Sequence, residues 1–133
     1  MRKPITKTYS LRKYKDSKSL RKKAWKLQSL YVRKRGSKDG VNRCFTCGQY
    51  LPIKELDAGH YIHRDSLDFH PINIQPQCTK CNRFLHGNSG VFAHNLIITY
   101  GLQAYKELEA LRFREDYFGI RRLEEIIEDL KNK

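Results

Sequence analysis

Four cysteines are the residues of this sequence whose spacing most clearly predicts chemistry. They form two C-x2-C pairs, Cys44/Cys47 and Cys78/Cys81, with 30 residues between the pairs. Four thiolates suit tetrahedral Zn2+, and an intracellular setting argues against disulfides. A redox C-x2-C or an iron–sulfur cluster are the alternatives, but no thioredoxin-like βαβ pattern surrounds either pair. We therefore predict a structural zinc, whose closed four-sulfur site leaves no open position for catalysis.

A second set of chemically capable residues lies between the cysteine pairs and just after them. It comprises carboxylates, imidazoles and amides, namely Asp57, His60, His63, Asp65, Asp68, His70, Asn73, Asn82 and His86. Any one histidine here would more often be structural, so their order is the informative feature. A His ends a short predicted strand, an Asn follows 13 residues later, and a polar pair lies on the next helical turn. Because residues i and i+4 share a helix face, Asn82 and His86 are expected to point the same way.

Several short motifs carry a resemblance to a known family. They are AGHY at 58–61, Asn73-Ile74-x-x-Gln77-Cys78-x-x-Cys81-Asn82, Gly87-Asn88, and LIITYGLQA at 96–104. With these motifs, residues 44 to 103 resemble the HNH endonucleases, and more closely the phage recombination endonucleases called NinG or Rap, which cut branched DNA such as Holliday junctions. The basic N-terminal segment lies outside this resemblance. The resemblance implies an α+β fold with a small zinc-stapled treble-clef or ββα-metal core.

The resemblance also implies roles for individual residues. His60 matches the general base, Asn73 matches the Asn that braces the loop, and Asn82 takes the place of the final His. The common pattern often has an Asp or His ligand directly before the base, whereas this sequence has Gly59. Candidate ligands for a catalytic Mg2+ or Mn2+ are therefore Asp57, Asn82, His86 and His63. On an ideal strand Asp57 and His60 point to opposite faces, so sharing one site requires a bend at Gly59.

Hydrophobic periodicity predicts a helix before the first cysteine pair. It runs from Ser17 or Ser19 to Arg35, with Leu20, Ala24, Leu27 and Tyr31 at helical spacing. The 16 residues before it show little apolar periodicity and are expected to be mobile when unbound. Breaker residues at 36–40 predict a linker. The helix either belongs to a separate basic arm or packs its apolar face on the body.

The remaining elements are expected to be short strands followed by helices. Two short strands around a turn are predicted between Tyr50 and Tyr61, and a helical turn or two between Cys78 and Gly87. Three helices follow at about 91–100, 102–112 and 120–130, and the last has an apolar stripe that we interpret as core packing. Three regions result: a nucleic-acid-binding arm and helix (1–40), an HNH-like core (41–90), and C-terminal helices that pack on the core or form a dimer (91–133).

The formal net charge of +13 is concentrated at the N-terminal end of the chain. Residues 1 to 40 contain 15 Lys or Arg against two Asp, whereas residues 41 to 133 contain 12 basic and 12 acidic residues. Such a segment suits a polyanion, because cations that neutralise phosphates release condensed counterions. A solvated or membrane-surface helix is the alternative. The predicted DNA-binding residues are Arg12, Lys13, Lys15, Lys18, Arg21, Lys22, Lys23, Lys26, Arg33, Lys34 and Arg35.

Composition limits the other possibilities. With 133 residues, of which 39% are hydrophobic, the chain has room for one domain plus an appendage, and a metal would help to stabilise the small core of that domain. No apolar run approaches the roughly 18 residues of a membrane span, and the basic N-terminus lacks the apolar core of a signal peptide. We therefore expect a soluble, intracellular protein without a membrane partner, and the resemblance implies the cytoplasm of a phage-infected bacterial host.

Together these features predict a metal-dependent DNA endonuclease. His60 would take a proton from water, and Mg2+ or Mn2+ would stabilise the leaving oxygen. A homodimer is attractive, because symmetric cutting of a four-way junction needs two active sites. A rival hypothesis is a zinc-stapled DNA-binding protein without catalysis, and another is an RNA-binding zinc protein of translation or splicing.

Overall fold

The computed structural model describes residues 7–114 and 118–133, with side chains from residue 17 onward. Its elements are helix α1 (Lys7–Lys34), strands β1 (Val41–Arg43), β2 (Tyr50–Pro52), β3 (Leu56–His60) and β4 (Ile74–Cys78), a π-helical turn (Lys80–Phe84), and helices α2 (Ser89–Tyr100), α3 (Leu102–Ala110) and α4 (Ile120–Lys131). Short 3-10 turns occur at Ile53–Glu55 and Asp65–Leu67. The fold is thus mixed α and β, which confirms this part of the predicted fold class. No helix among the described residues is both long and apolar enough to cross a membrane.

Helix α1 packs along α4 and does not form a detached arm. Ala24 is fully buried against Leu123, Ile126 and Ile127 of α4, and Leu20 and Leu27 pack at the edge of this cluster. The apolar stripe of α4 is therefore confirmed as core packing. Burying each large aliphatic side chain contributes roughly 1.5–3 kcal/mol. Removing residues 1 to 40 would expose this cluster, so the boundary predicted at residue 40 does not separate two independent folding units.

The N-terminal end of α1 differs from the prediction. The helix begins at Lys7, ten residues before Ser17, so residues 7 to 16 are helical although a mobile segment was expected. No Gly or Pro interrupts residues 7 to 34, and the Lys, Arg and Leu that dominate them have high helix propensity. Residues 1 to 6 of the predicted mobile segment lie outside the described residues. The same applies to the side chains of three predicted DNA-binding residues, Arg12, Lys13 and Lys15.

The C-terminal end of α1 is fastened to the sheets. Asn42 Nδ2 donates to the carbonyl oxygens of Arg33 (2.8 Å) and Arg35 (2.9 Å), which supplies partners for the end of the helix. The Arg35 guanidinium donates to Pro71 O at 3.1 Å and Ile74 O at 3.3 Å. Arg33 and Arg35 were predicted to bind DNA, and both make hydrogen bonds within the fold.

The four strands form two separate antiparallel pairs. β1 pairs with β2, and β3 pairs with β4 over five consecutive residue pairs from Leu56↔Cys78 to His60↔Ile74. Strands do occur between Tyr50 and Tyr61 as predicted, but they belong to different sheets. β4 was not predicted, because Pro76 in the middle of its sequence IQPQC argues against a strand, although all five residues are buried.

A second apolar core lies between the loop after β3 and helices α2 and α3. Its buried residues are Ile62, Leu67, Ile72, Phe92, Leu96 and Leu108. The predicted end of α2 at Gly101 is confirmed, and α3 follows directly. Tyr61 donates to Glu109 Oε1 at 2.6 Å, and Arg112 also bonds this carboxylate. The loop that follows β3 is therefore held against α3.

The helical turn after Cys78 is shorter than predicted. It is π-helical and ends at Phe84, and three residues with positive φ follow it: His86 (50°), Gly87 (88°) and Asn88 (49°). The expectation that Asn82 and His86 share one α-helical face is therefore wrong, because the backbone leaves the helical conformation between them.

Candidate functional site

The four cysteine sulfurs lie close together. Cys44 and Cys47 are in the loop between β1 and β2, Cys78 ends β4, and Cys81 lies in the π-helical turn. All four sulfurs are within 4.8 Å of one another, and those of Cys47 and Cys78 are 3.7 Å apart. Zinc–sulfur bonds of about 2.3 Å in a tetrahedron place sulfurs about 3.8 Å apart. The cluster can therefore hold a metal ion such as zinc, as predicted.

Hydrogen-bond donors surround these sulfurs. Thr46 Oγ1 lies 3.4 Å from Cys44 Sγ, the backbone N–H of Cys81 donates to Cys78 Sγ at 3.4 Å, and Asn88 Nδ2 donates to Cys81 Sγ at 3.8 Å. Burial raises the pKa of the Cys44 thiol, but hydrogen bonds from Thr46 and from backbone groups outweigh burial and lower it to about 6. Burial raises the pKa of Cys47 and raises that of Cys78 to about 12, so a bound cation would be needed to keep all four sulfurs as thiolates, the form that binds a metal.

His60 lies in a cleft of about 570 Å3 between α1 and the loop after β3. We call this the His60 cleft; its lining residues are Lys18, Arg21, Lys22 and Trp25 from α1, and His60, His63, Arg64, Asp65 and Asp68. Four of these side chains are cationic and two are acidic, so the cleft favours an anionic ligand. Helix α1, predicted as a separate binding arm, thus forms one wall of the cleft that contains the candidate base.

The His60 ring is held by aromatic and polar contacts. Trp25 stacks on it with ring centroids 4.8 Å apart and an interplanar angle of 18°, and His63 stacks with it at 5.5 Å. His60 Nε2 is 2.9 Å from Asp68 Oδ1, and Arg21 Nη2 donates to Asp68 Oδ2 at 3.0 Å. Burial and the neighbouring His60 lower the pKa of His63, which favours its neutral form.

Asn73 is fully buried and holds the loop that follows β3. Its Oδ1 accepts from the backbone N–H of Ile62 at 2.8 Å, and its Nδ2 donates to Ile62 O at 3.0 Å and Leu67 O at 3.1 Å. All the bonds named here go to backbone groups of that loop. Asn73 therefore positions the segment that carries His63 and Asp65, while its importance for catalysis remains a prediction.

The four predicted metal ligands lie in three separate places. Asn82 Nδ2 donates to Asp57 Oδ2 at 3.1 Å, and Arg83 forms an ion pair with Asp57 at 3.3 Å. The ladder between β3 and β4 is continuous through Gly59, so Asp57 and His60 lie on opposite faces of β3. The bend that would unite them is absent from this strand. His63 lies in the His60 cleft, and His86 lies in the left-handed turn beyond the π-helical turn.

The glycine before the candidate base has a packing explanation. A Cβ at Gly59 would overlap the side-chain amide of Gln77 on the neighbouring strand. The Gln77 amide is fixed in place, because its Nε2 donates to Thr46 Oγ1 at 3.1 Å and Gly87 O at 2.9 Å. The space that a side chain at position 59 would need is thus filled by Gln77 in this fold.

Comparison with known proteins places the chain in a family. The family model described as bacteriophage lambda NinG protein matches residues 5–133. The chain belongs to the NinG family. No curated protein and no solved structure matches it. The NinG family is associated with phage recombination.

The NinG match extends well beyond the motifs that suggested it. Those motifs lie between residues 44 and 103, and the basic helix was expected to fall outside the resemblance. The match includes α1 from its first residue and also α4. These two helices, which pack on each other, are therefore part of the NinG domain.

Sequence reasoning missed several residues of the His60 cleft in this NinG chain. Trp25, Arg64 and Asp68 line the cleft, and none of them was assigned a role. Trp25 is the single tryptophan of the sequence and lies among Lys and Arg residues. That position was the one sequence feature that could have indicated a role for Trp25 in the site. Asp68 was noted among the carboxylates between the cysteine pairs, but its separation of eight residues from His60 does not indicate that the two side chains are in contact. His70 accepts from the backbone N–H of Ile72 at 3.3 Å, which supports a structural role.

Proposed function

We propose that this NinG-family chain is a metal-dependent endonuclease with an HNH-type core, which hydrolyses phosphodiester bonds in branched DNA such as Holliday junctions or D-loops. The observation that supports it best is the His60 cleft, where an imidazole at the end of β3 faces the basic helix α1. Phosphodiester hydrolysis needs a base near a bound phosphate, and the cleft brings cations and an imidazole together.

Different residues of the chain bind the phosphates and accept the proton in this reaction. Lys18, Lys22 and Arg64 bind phosphates along the cleft, and His60 accepts a proton from the attacking water. The water oxygen forms a bond to phosphorus, the bond from phosphorus to the 3′ oxygen breaks, and that oxygen is protonated from solvent.

We assign the catalytic cation to the His60 cleft, where it can share a phosphate with the base, because Asp57 and Asn82 contact each other on the opposite face of β3. Mg2+ or Mn2+ held there would stabilise negative charge on the leaving oxygen. The cysteine cluster, with zinc bound, holds β4 and the π-helical turn together and takes no part in the chemistry.

A non-catalytic, zinc-stapled DNA-binding protein is the second candidate. One observation favours it: Asp57 and Asp68 each form an ion pair with an arginine, Arg83 and Arg21, which neutralises the two carboxylates. In this alternative the cleft binds phosphate and the imidazole only packs against Trp25.

A nicking assay separates the two candidates. Purified protein is incubated with end-labelled four-way junction or linear duplex, in Mg2+, Mn2+ or EDTA. Cleavage of the junction that requires the added metal, with little cleavage of the duplex, is the expected result. Tight binding to both DNAs without nicks in any metal would support the binding protein instead.

Binding should depend on the lysines that face the His60 cleft. Replacing Lys18 and Lys22 by Gln is expected to lower the slope of log affinity against log salt by about 0.9 for each lost phosphate contact on duplex DNA. Lys23 and Lys26 are exposed on the same helix but lie outside the cleft, so their double Gln variant is a control with the same charge change. Titrations at several salt concentrations measure both slopes. Equal slopes for the two variants would mean that the cleft is not the DNA-binding surface.

We also propose a homodimer, because paired cuts across a four-way junction need two active sites. The apolar stripe of α4 cannot supply its interface, since α1 of the same chain covers that stripe.

A further inference from the structure

A chain of three side chains connects helix α1 to the candidate base. Arg21 Nη2 donates to Asp68 Oδ2 at 3.0 Å and also to the backbone oxygen of Asp65 at 2.8 Å. The other oxygen of Asp68 lies 2.9 Å from His60 Nε2. The side chains of Asp68 and His60 are mostly buried, with 16% and 21% of their surfaces exposed. Each member therefore has a defined partner and limited access to water.

We propose that Asp68 and Arg21 are positioning residues that set the tautomer of His60. An ionised carboxylate only accepts hydrogen bonds, so the proton of neutral His60 must be on Nε2. Nδ1 then carries the lone pair and is the atom that accepts the proton from water. This inference depends on the proposed function for its catalytic meaning, but the tautomer itself can be measured without any cleavage.

Arg21 determines which atom of residue 68 faces His60. A guanidinium only donates, so it requires an acceptor from whatever residue occupies position 68. In an Asp68→Asn variant the amide oxygen would face Arg21, and the NH2 group would face His60. Nε2 would then have to accept a hydrogen bond from that NH2 group, which moves the imidazole proton to Nδ1. The lone pair would then be on Nε2, which faces residue 68, and not on Nδ1, which is proposed to accept the proton from water.

The contacts of Arg21 with Asp68 and of Asp68 with His60 give helix α1 a second role. Lys18, Arg21 and Lys22 all line the cleft, and Arg21, which lies between the two lysines in sequence, donates to Asp68. The helix that supplies phosphate-binding charge therefore also orients the base. Arg21 also lies over the Phe118 ring, with its guanidinium carbon 5.8 Å from the centroid, which helps to fix its direction.

Nitrogen NMR of the imidazoles tests the proposal directly. Long-range 1H–15N spectra of the full chain are recorded about two pH units above the usual histidine pKa of roughly 6.5, where the rings are neutral. There are five histidines, and the His60 signals are assigned by their loss in His60→Gln. We expect the Nε2–H form in the wild type and the Nδ1–H form in Asp68→Asn. Arg21→Met combined with Asp68→Asn should restore the Nε2–H form, because the amide is then free to turn its oxygen to His60.

Single-turnover cleavage at saturating protein provides the second readout. Asp68→Asn should slow the rate by roughly two to four orders of magnitude, as expected when an Asp→Asn change reverses a catalytic imidazole. The double variant should recover part of that loss, which a purely structural role for Asp68 would not produce. Asp65→Asn is the matched control for the spectra, because Asp65 also faces Arg21 but does not contact His60.

The outcomes separate this inference from the proposed function. If the spectra change as described but no form of the protein cleaves DNA, the proposed function fails and the positioning chain is confirmed. If the wild type cleaves, but Asp68→Asn keeps both the Nε2–H form and the rate, the positioning role is refuted. An Nδ1–H form in the wild type would also refute it.

Discussion

Replacing His60 by alanine is expected to reduce cleavage of branched DNA by roughly two to four orders of magnitude, the contribution typical of a general base. Affinity for the same DNA should change little, because a base acts on the transition state and adds little to ground-state binding. The bound zinc should also be retained, since His60 lies outside the cysteine cluster. Single-turnover rates, binding titrations and metal content measure the three quantities separately.

Two further variants make the result interpretable. His60→Gln retains a side chain against Trp25 and should be equally inactive if the loss is chemical and not a packing defect. His94→Ala removes an exposed imidazole on α2 and should cleave like the wild type. A His60→Ala protein that cuts at nearly the wild-type rate with metal present would show that another group is the base.

Replacing Cys44 by serine should remove zinc and unfold the protein together. In small domains of this kind the metal site forms only when the chain folds, so the free energy of metal binding stabilises the folded state. That free energy reaches roughly 10–16 kcal/mol in zinc-finger peptides. The cluster joins both strand pairs, because Cys44 follows β1 whereas Cys78 ends β4. Elemental analysis and circular dichroism, each with and without a chelator, measure both effects.

Comparison with Cys47→Ser separates the metal from the packing. Cys44 is buried and Cys47 is exposed, so only the Cys44 variant also changes buried volume. Similar unfolding of both variants would assign the effect to the lost ion. Wild-type protein purified without zinc, or a well-folded zinc-free Cys44→Ser variant, would contradict the structural role of the metal.

The cysteine cluster and the C-terminal helices were predictable from sequence because each depends on local spacing. A C-x2-C pair brings two sulfurs to one ion whatever surrounds it, and two such pairs define four ligands. The stripe of Leu123, Ile126 and Ile127 follows the helical period, so the buried face of α4 can be identified without knowing its partner. The NinG resemblance was likewise carried by short contiguous motifs, and the family match confirms it.

Other features depend on contacts between residues far apart in the chain, and only the tertiary structure decided them. Helix α1 could have been a free arm; its packing on α4 places Lys18 and Trp25 in the same cleft as His60. Neither the Arg21–Asp68–His60 chain nor the close packing of Gln77 against Gly59 follows from spacing, because each joins separate elements. Periodicity and motifs report which local structure a segment prefers and which chemistry it contains. Which side chains meet depends on how the helices and strands pack, and that packing is a property of the whole chain.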